Sequence, residues 1–171
     1  MKRFFILTLV FLGVALTAQQ AQAQYYKSAI GLRFGYPTSA SFKTFITGPV
    51  ALEANVGVRG VSSSYRWIQV GGLLEWHKDL ELGEFSVDGL EWYVGGGAGA
   101  VFWTYFNDFN ISNYSSTSLV VMGVLGLQYT FQDIPVTLST DWAPTFFLGD
   151  TFVTGFRADY GAFSIRYVLG E

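Results

Sequence analysis

Between Ala51 and Arg59 the chain alternates strictly: Leu52, Ala54, Val56 and Val58 are separated by Glu53, Asn55, Gly57 and Arg59. Successive side chains of a β-strand point to opposite faces, so a period of two puts all four apolar side chains on one side of a strand. The pattern recurs. One stretch sets Ile68, Val70, Leu74 and Trp76 against Gln69, Gly71, Glu75 and His77, and another sets Val136, Leu138 and Trp142 against Thr137, Ser139 and Asp141. Eight segments read as strands, near residues 28–34, 39–46, 51–59, 65–78, 89–103, 118–131, 135–147 and 156–169.

Half of the residues are apolar and 18% are aromatic, while only 13% are charged, against about 25% in ordinary soluble domains. So little charge cannot clothe a water-facing surface. Inside lipid, only helices and closed barrels satisfy every backbone N–H and C=O. No segment after residue 24 is apolar for long enough to be a membrane helix, so the alternation points to a barrel with its apolar face turned outward. Aromatic residues near the strand ends (Trp67, Trp76, Trp92, Trp103, Tyr129, Trp142 and Tyr167) are expected to form girdles at the two membrane interfaces. A soluble lipocalin-like barrel would also alternate, but with its apolar face inward. The net charge of −3 leaves no basic stripe for nucleic acid, and the absence of Cys excludes disulfides and thiolate metal sites.

The first residues carry a second signal. Lys2 and Arg3 precede the apolar run FFILTLVFLGVAL at 4–16, and Ala21-Gln22-Ala23 follows. A basic start, a short apolar centre and A-x-A make a secretory signal peptide, too short to span a bilayer. Residues 1–23 are thus expected to be removed, and residues 24–171 to form one barrel domain. With the new N-terminus in the periplasm, Thr47-Gly48-Pro49 and residues 132–135 become periplasmic turns. Residues 78–88 read as a long periplasmic connection, and 105–117 as the longest external loop.

Several pieces of the chain, in order, resemble the small eight-stranded outer-membrane β-barrel proteins of Gram-negative bacteria. They are Leu52-Glu53-Ala54, Glu75-Trp76-His77-Lys78, residues 89–97 (GLEWYVGGG), 125–131 (LGLQYTF), Asp133-Ile134-Pro135, 138–144 (LSTDWAP) and Ser164-Ile165-Arg166-Tyr167. The likeness is to a branch with no assigned activity. It implies an integral protein of the outer membrane, an all-β, eight-stranded, antiparallel up-and-down barrel. Two departures stand out: Ala143 replaces the Lys or Arg found between Trp and Pro in many relatives, and the chain closes on Gly170-Glu171 rather than on an aromatic residue.

An eight-stranded barrel is just wide enough for side chains to fill it. The alternation turns Arg33, Lys43, Glu53, Arg59, Glu75, Glu91, Asp141 and Arg166 into that interior. Their signs are balanced, and buried charges persist when paired, so a structural ion-pair plug is expected rather than a proton path. Arg166 is expected to reach across to Glu53, Glu75 and Glu91. Gly95, Gly97 and Gly99 also face inward and would let bulky side chains cross or the strand coil tightly. His77, the one histidine, has no evident Ser partner and is a poor metal ligand beside Glu75 alone. No catalytic, cofactor or metal residues are expected. Contact chemistry falls to the external loop: Tyr105, Phe106, Asn107, Asn110, Asn113 and Tyr114.

The reading is an integral outer-membrane barrel with a filled lumen and a structural or surface-interaction role. Outer-membrane lipid and lipopolysaccharide would surround it, and the barrel-assembly machinery would insert it. A lipid-modifying barrel enzyme and a soluble periplasmic ligand-binding barrel are the alternatives. If the leader reading holds, N-terminal sequencing of the exported protein should begin Gln-Tyr-Tyr; a mature chain that keeps residues 4–16 would contradict it.

Overall fold

The computed structural model describes residues 26–62, 65–82, 85–105, 114–149 and 154–170. The expected leader, residues 1–23, and residues 106–113 of the expected external loop lie outside them. The strands are β1 (Ser28–Gly35), β2 (Thr38–Thr47), β3 (Val50–Ser62), β4 (Tyr65–Leu82), β5 (Phe85–Tyr105), β6 (Tyr114–Thr130), β7 (Val136–Trp142), β8 (Thr145–Leu148), β9 (Gly155–Arg157) and β10 (Gly161–Gly170). They make eight staves, since β7 with β8 and β9 with β10 are the two halves of broken strands. The break in the seventh falls at Ala143-Pro144, where proline has no N–H to give the ladder. Backbone bonds still tie the break to both neighbours, from Gly123 N to Pro144 O at 2.8 Å and from Ala143 N to Tyr160 O at 2.9 Å.

All pairings are antiparallel. β1 pairs with both β2 and β10, and β5 with both β4 and β6, so the sheet closes on itself. Among the described residues there is no helix long and apolar enough to cross a membrane. Both ends of the described chain and the turns after β2, β4 and β6 lie at one end of the barrel, here the terminal end. The connections after β1, β3, β5 and β8 lie at the other, the loop end.

Of residues 78–88, the described ones, 78–82 and 85–88, are strand rather than loop. Asp79 pairs with Glu91, Glu81 with Ser86 and Leu82 with Phe85, so β4 and β5 continue past the expected ends of their segments. Glu81 and Asp88 are exposed. The acidic composition that reads as a connection is that of a hairpin standing in water.

The faces are inverted relative to a soluble protein. Ile30, Leu32, Val56, Val58, Leu119, Leu125 and Ile165 point outward and are about half exposed, whereas Lys43, Glu53, Glu75 and Arg166 are buried. Trp67 and Trp103 do not join an outer girdle. They are 1% and 6% exposed and face the lumen, because they share the parity of Gln69 and Val101 rather than that of Ile68 and Phe102. Gly97 faces inward as expected, and a Cβ there would strike the carbonyl oxygen of Gly72 on β4. Close coiling of β5 against β4 requires the glycine.

Val56 should touch hydrocarbon. Val56→Arg is expected to cost roughly 2–4 kcal/mol if the residue lies near the bilayer midplane, and Asn55→Ser, on the inner face, much less. Urea titration of the barrel refolded in lipid vesicles measures both; equal losses would mean that the faces are assigned wrongly.

Candidate functional site: the filled lumen

Alternation brings the charged residues of seven staves into one interior, where ion pairs replace water. Glu53 on β3 is the hub. Its Oε1 accepts from Arg33 Nη1 at 2.7 Å, and its Oε2 accepts from Arg166 Nη2 at 2.8 Å and lies 3.4 Å from Lys43 Nζ. Arg33 uses its other fork nitrogen on Asp141 Oδ1 at 2.9 Å. Arg166 completes its donors with Ser41 Oγ at 2.9 Å and Ser139 Oγ at 2.8 Å. A planar guanidinium has donors in fixed directions, and here serines and a carboxylate meet them.

The second acid of the network belongs to lysine. Lys43 Nζ lies 2.6 Å from Glu75 Oε2 and 4.4 Å over the ring centre of Tyr93. Tyr93 donates to Asp141 Oδ2 at 3.1 Å. To do so it crosses β6 at Gly126, where a Cβ would collide with the Tyr93 ring. Toward the terminal end, Gln128 donates to Glu91 at 2.9 Å and accepts from Tyr26 at 3.1 Å. Tyr26 is buried with its ring edge-on to Phe45 and stoppers that end.

His77 lies within this layer. Its Nε2 is 3.2 Å from Glu75 Oε2, its Nδ1 is 3.6 Å from Glu91 Oε2, and its ring stacks on Tyr93 at 4.9 Å. Nδ1 makes no hydrogen bond within the protein. No serine or threonine hydroxyl bonds the ring among the described residues, so a nucleophile–base pair is not assembled there. Among the described residues no group of three or more His, Cys, Asp or Glu side chains could hold a metal ion.

Toward the loop end the filling becomes aromatic. Trp67 packs on Trp103 at 4.6 Å, Tyr36 meets Trp67 at 5.3 Å and Tyr160 at 5.0 Å, and Arg59 lies over the Tyr36 ring. Trp103 Nε1 donates to Ser118 Oγ at 3.1 Å. Between this plug and the ion pairs lies a cavity of about 40 Å³, lined by Arg33, Ser39, Asn55, Gln69, Tyr36 and Tyr160, among others. A water needs roughly 10–15 Å³ and several polar partners. The cavity suits a few waters and nothing larger.

All eight charged residues expected in the lumen turn inward. Arg33, Lys43, Glu53, Glu75, Asp141 and Arg166 form one connected network, Glu91 joins it through Gln128, and Arg59 stands apart against Tyr36. Of the acids expected around Arg166, only Glu53 pairs with it; Glu75 is held by Lys43 and His77. Tyr93, Gln128, Ser41, Ser139 and Tyr26 were missed. The parity of the first four signalled an inward face, but neutral side chains carry no charge to draw attention; Tyr26 precedes β1 and shares the parity of the outward Ile30, so alternation gave no sign of it. In the external loop, Tyr105 and Tyr114 are paired strand ends, and Phe106, Asn107, Asn110 and Asn113 lie outside the described residues.

Arg166→Ala strands Glu53 among fewer partners and should cost about 3–5 kcal/mol. Combined with Glu53→Ala, the loss should fall well short of additive, because both changes remove the same contact. Combined with Glu75→Gln it should be close to additive. Urea unfolding of the three single and two double variants in micelles distinguishes these cases; zero coupling between residues 53 and 166 would contradict the geometry.

No protein-family model matches the chain, and no curated protein matches it. Two solved structures share its fold. The crystal structure of Neisserial surface protein A (NspA) matches with a TM-score of 0.60 and 12% identity, over 83% of this chain and 93% of that one. The N-terminal β-barrel domain of Pseudomonas aeruginosa OprF matches with a TM-score of 0.53 and 16% identity, over 82% of this chain and 93% of that one. Identities this low speak for the fold alone. The inverted faces, the closed eight-stave ladder and these likenesses together give the chain the fold of the small eight-stranded outer-membrane β-barrels of Gram-negative bacteria.

Proposed function

We propose that this chain is an integral outer-membrane protein with a structural or surface-interaction role, and that it is not an open pore. The observation that carries the reading is the lumen. Ion pairs, a tyrosine stopper at the terminal end and an aromatic plug at the loop end occupy it, and the cavity between the plug and the ion pairs measures about 40 Å³. A solute would have to break several buried ion pairs to pass, each of which costs several kcal/mol, on the order of 3–5, when one partner is removed.

The terminal end then faces the periplasm, where short turns are usual, and the loop end faces outward. Lipid and lipopolysaccharide surround the apolar belt, the barrel-assembly machinery inserts the chain, and any partner meets the external loop between β5 and β6. A lipid-modifying enzyme finds less support. The one histidine is 1% exposed and bracketed by Glu75 and Glu91, with no hydroxyl bonded to its ring among the described residues. A soluble carrier would need its apolar face inside, the opposite of what is observed.

Two measurements test the reading. The protein should stay with the membrane through a carbonate wash, and in planar bilayers it should produce no stable conductance steps. Steady ohmic channels from the folded barrel would overturn the closed lumen, and release by carbonate would overturn the membrane assignment.

A further inference from the structure

The lipid-facing wall is not uniformly convex. Two adjoining hollows, of about 480 Å³ and about 230 Å³, lie over the seam of β6 and β7 and share Leu127 and Thr140 as lining residues. The cause is one small side chain. Trp92, Leu127, Thr140 and Phe163 stand opposite one another on β5, β6, β7 and β10, and Thr140 is the smallest of the four. Along β7 it is flanked by Leu138 and Trp142.

The walls are held in place. Trp142 Nε1 donates to Ala158 O at 2.6 Å, and Trp92 packs edge-on to Trp76 at 5.3 Å. The rims are apolar: Leu125, Leu127, Phe163 and Trp142 are all between 44% and 49% exposed. Asp141 contributes to the floor, but its carboxylate turns inward to Arg33 and Tyr93. The groove runs toward Tyr129, which meets Phe131 at 4.8 Å. Trp76, Trp92, Tyr129 and Phe131 thus gather at the terminal end, where aromatic rings sit at the level of lipid headgroups.

We propose that this groove holds one acyl chain of a phospholipid from the periplasmic leaflet, retained more firmly than the lipids around the rest of the barrel. The groove is continuous with the belt that hydrocarbon must cover. It is an open hollow bounded by the large apolar side chains of Trp92, Trp142 and Phe163, between which a single flexible chain can lie. Its end at the aromatic girdle sets the headgroup at the interface while the chain runs along Leu127 and Thr140. In hydrocarbon the gain comes from close packing rather than from leaving water, and a preformed groove has little ordering cost on the protein side. The inference rests on the membrane-barrel reading of the chain.

The test is native mass spectrometry of the full-length mature protein, extracted from membranes in mild detergent, with its folded state checked by heat-shifted gel mobility. At collision energies that strip the micelle, the wild type should keep a single adduct of phospholipid mass. Thr140→Phe fills the hollow and should lower that occupancy at least ten-fold, whereas Thr140→Val, of similar volume, should keep it. If Thr140→Phe does not fold, Leu127→Trp narrows the same groove from β6 and should show the same loss. A bare wild-type barrel, an adduct of detergent or lipid A mass alone, or equal occupancy in a folded groove-filling variant would each overturn the proposal. Membrane retention after a carbonate wash with no adduct would overturn the groove alone; release by the wash would overturn the reading beneath it.

Discussion

Hydrocarbon offers a backbone no hydrogen bonds, and each unmet N–H or C=O there costs several kcal/mol. Closure of the ladder, with β1 against β10 and β5 against β6, is the answer this chain gives. The other features follow from it. Eight staves set a circumference whose interior is no wider than two facing layers of side chains. The outer face must be apolar, so polar residues of the opposite parity are forced into that space. Once there they must satisfy one another, because too little water fits to do it for them.

Glu53 shows how tightly that demand is met. One carboxylate takes up Arg33, Lys43 and Arg166 from three different staves. Buried ion pairs add little net stability compared with a well-packed apolar core, but they are costly to leave half made. Their effect here is one of selection. A slip of one residue between neighbouring strands would turn these charges to the lipid, so the network penalises every wrong register heavily.

Much of this was legible in the residues. Parity alone assigned Arg33, Lys43, Glu53, Glu75 and Arg166 to the interior, because a period of two has only one solution when one face must be apolar. Parity also spoke for Trp67 and Trp103, yet their place near strand ends drew them toward the girdles; the lumen narrows the choice in a way that composition does not express. The continuation of β4 through residue 82 and the start of β5 at residue 85 were hidden because acidic residues mark both connections and water-standing strand ends. Partner choice was not legible. Whether Arg166 meets Glu53 or Glu75 depends on strand tilt and stagger, which are properties of the closed barrel and not of any segment. The dent at Thr140 was equally hidden, since it arises from four residues on four different strands.

The span of the lumen contacts along the chain governs when they can form. Tyr26 bonds Gln128, Arg33 bonds Asp141 and Arg166 bonds Glu53, over separations of 102, 108 and 113 residues. None of them can exist in a nascent hairpin. Non-local contacts of this kind slow folding, because chain entropy is lost before they give anything back. During insertion the early strands can pair Arg33 and Lys43 with Glu53 and Lys43 with Glu75, but Asp141 and Arg166 join them only when the last stave meets the first. The seam between β1 and β10 is thus more than the final edge to be sealed. Its meeting converts an open, charge-lined ribbon into a solid rod, and the rigidity of the whole wall dates from that one event.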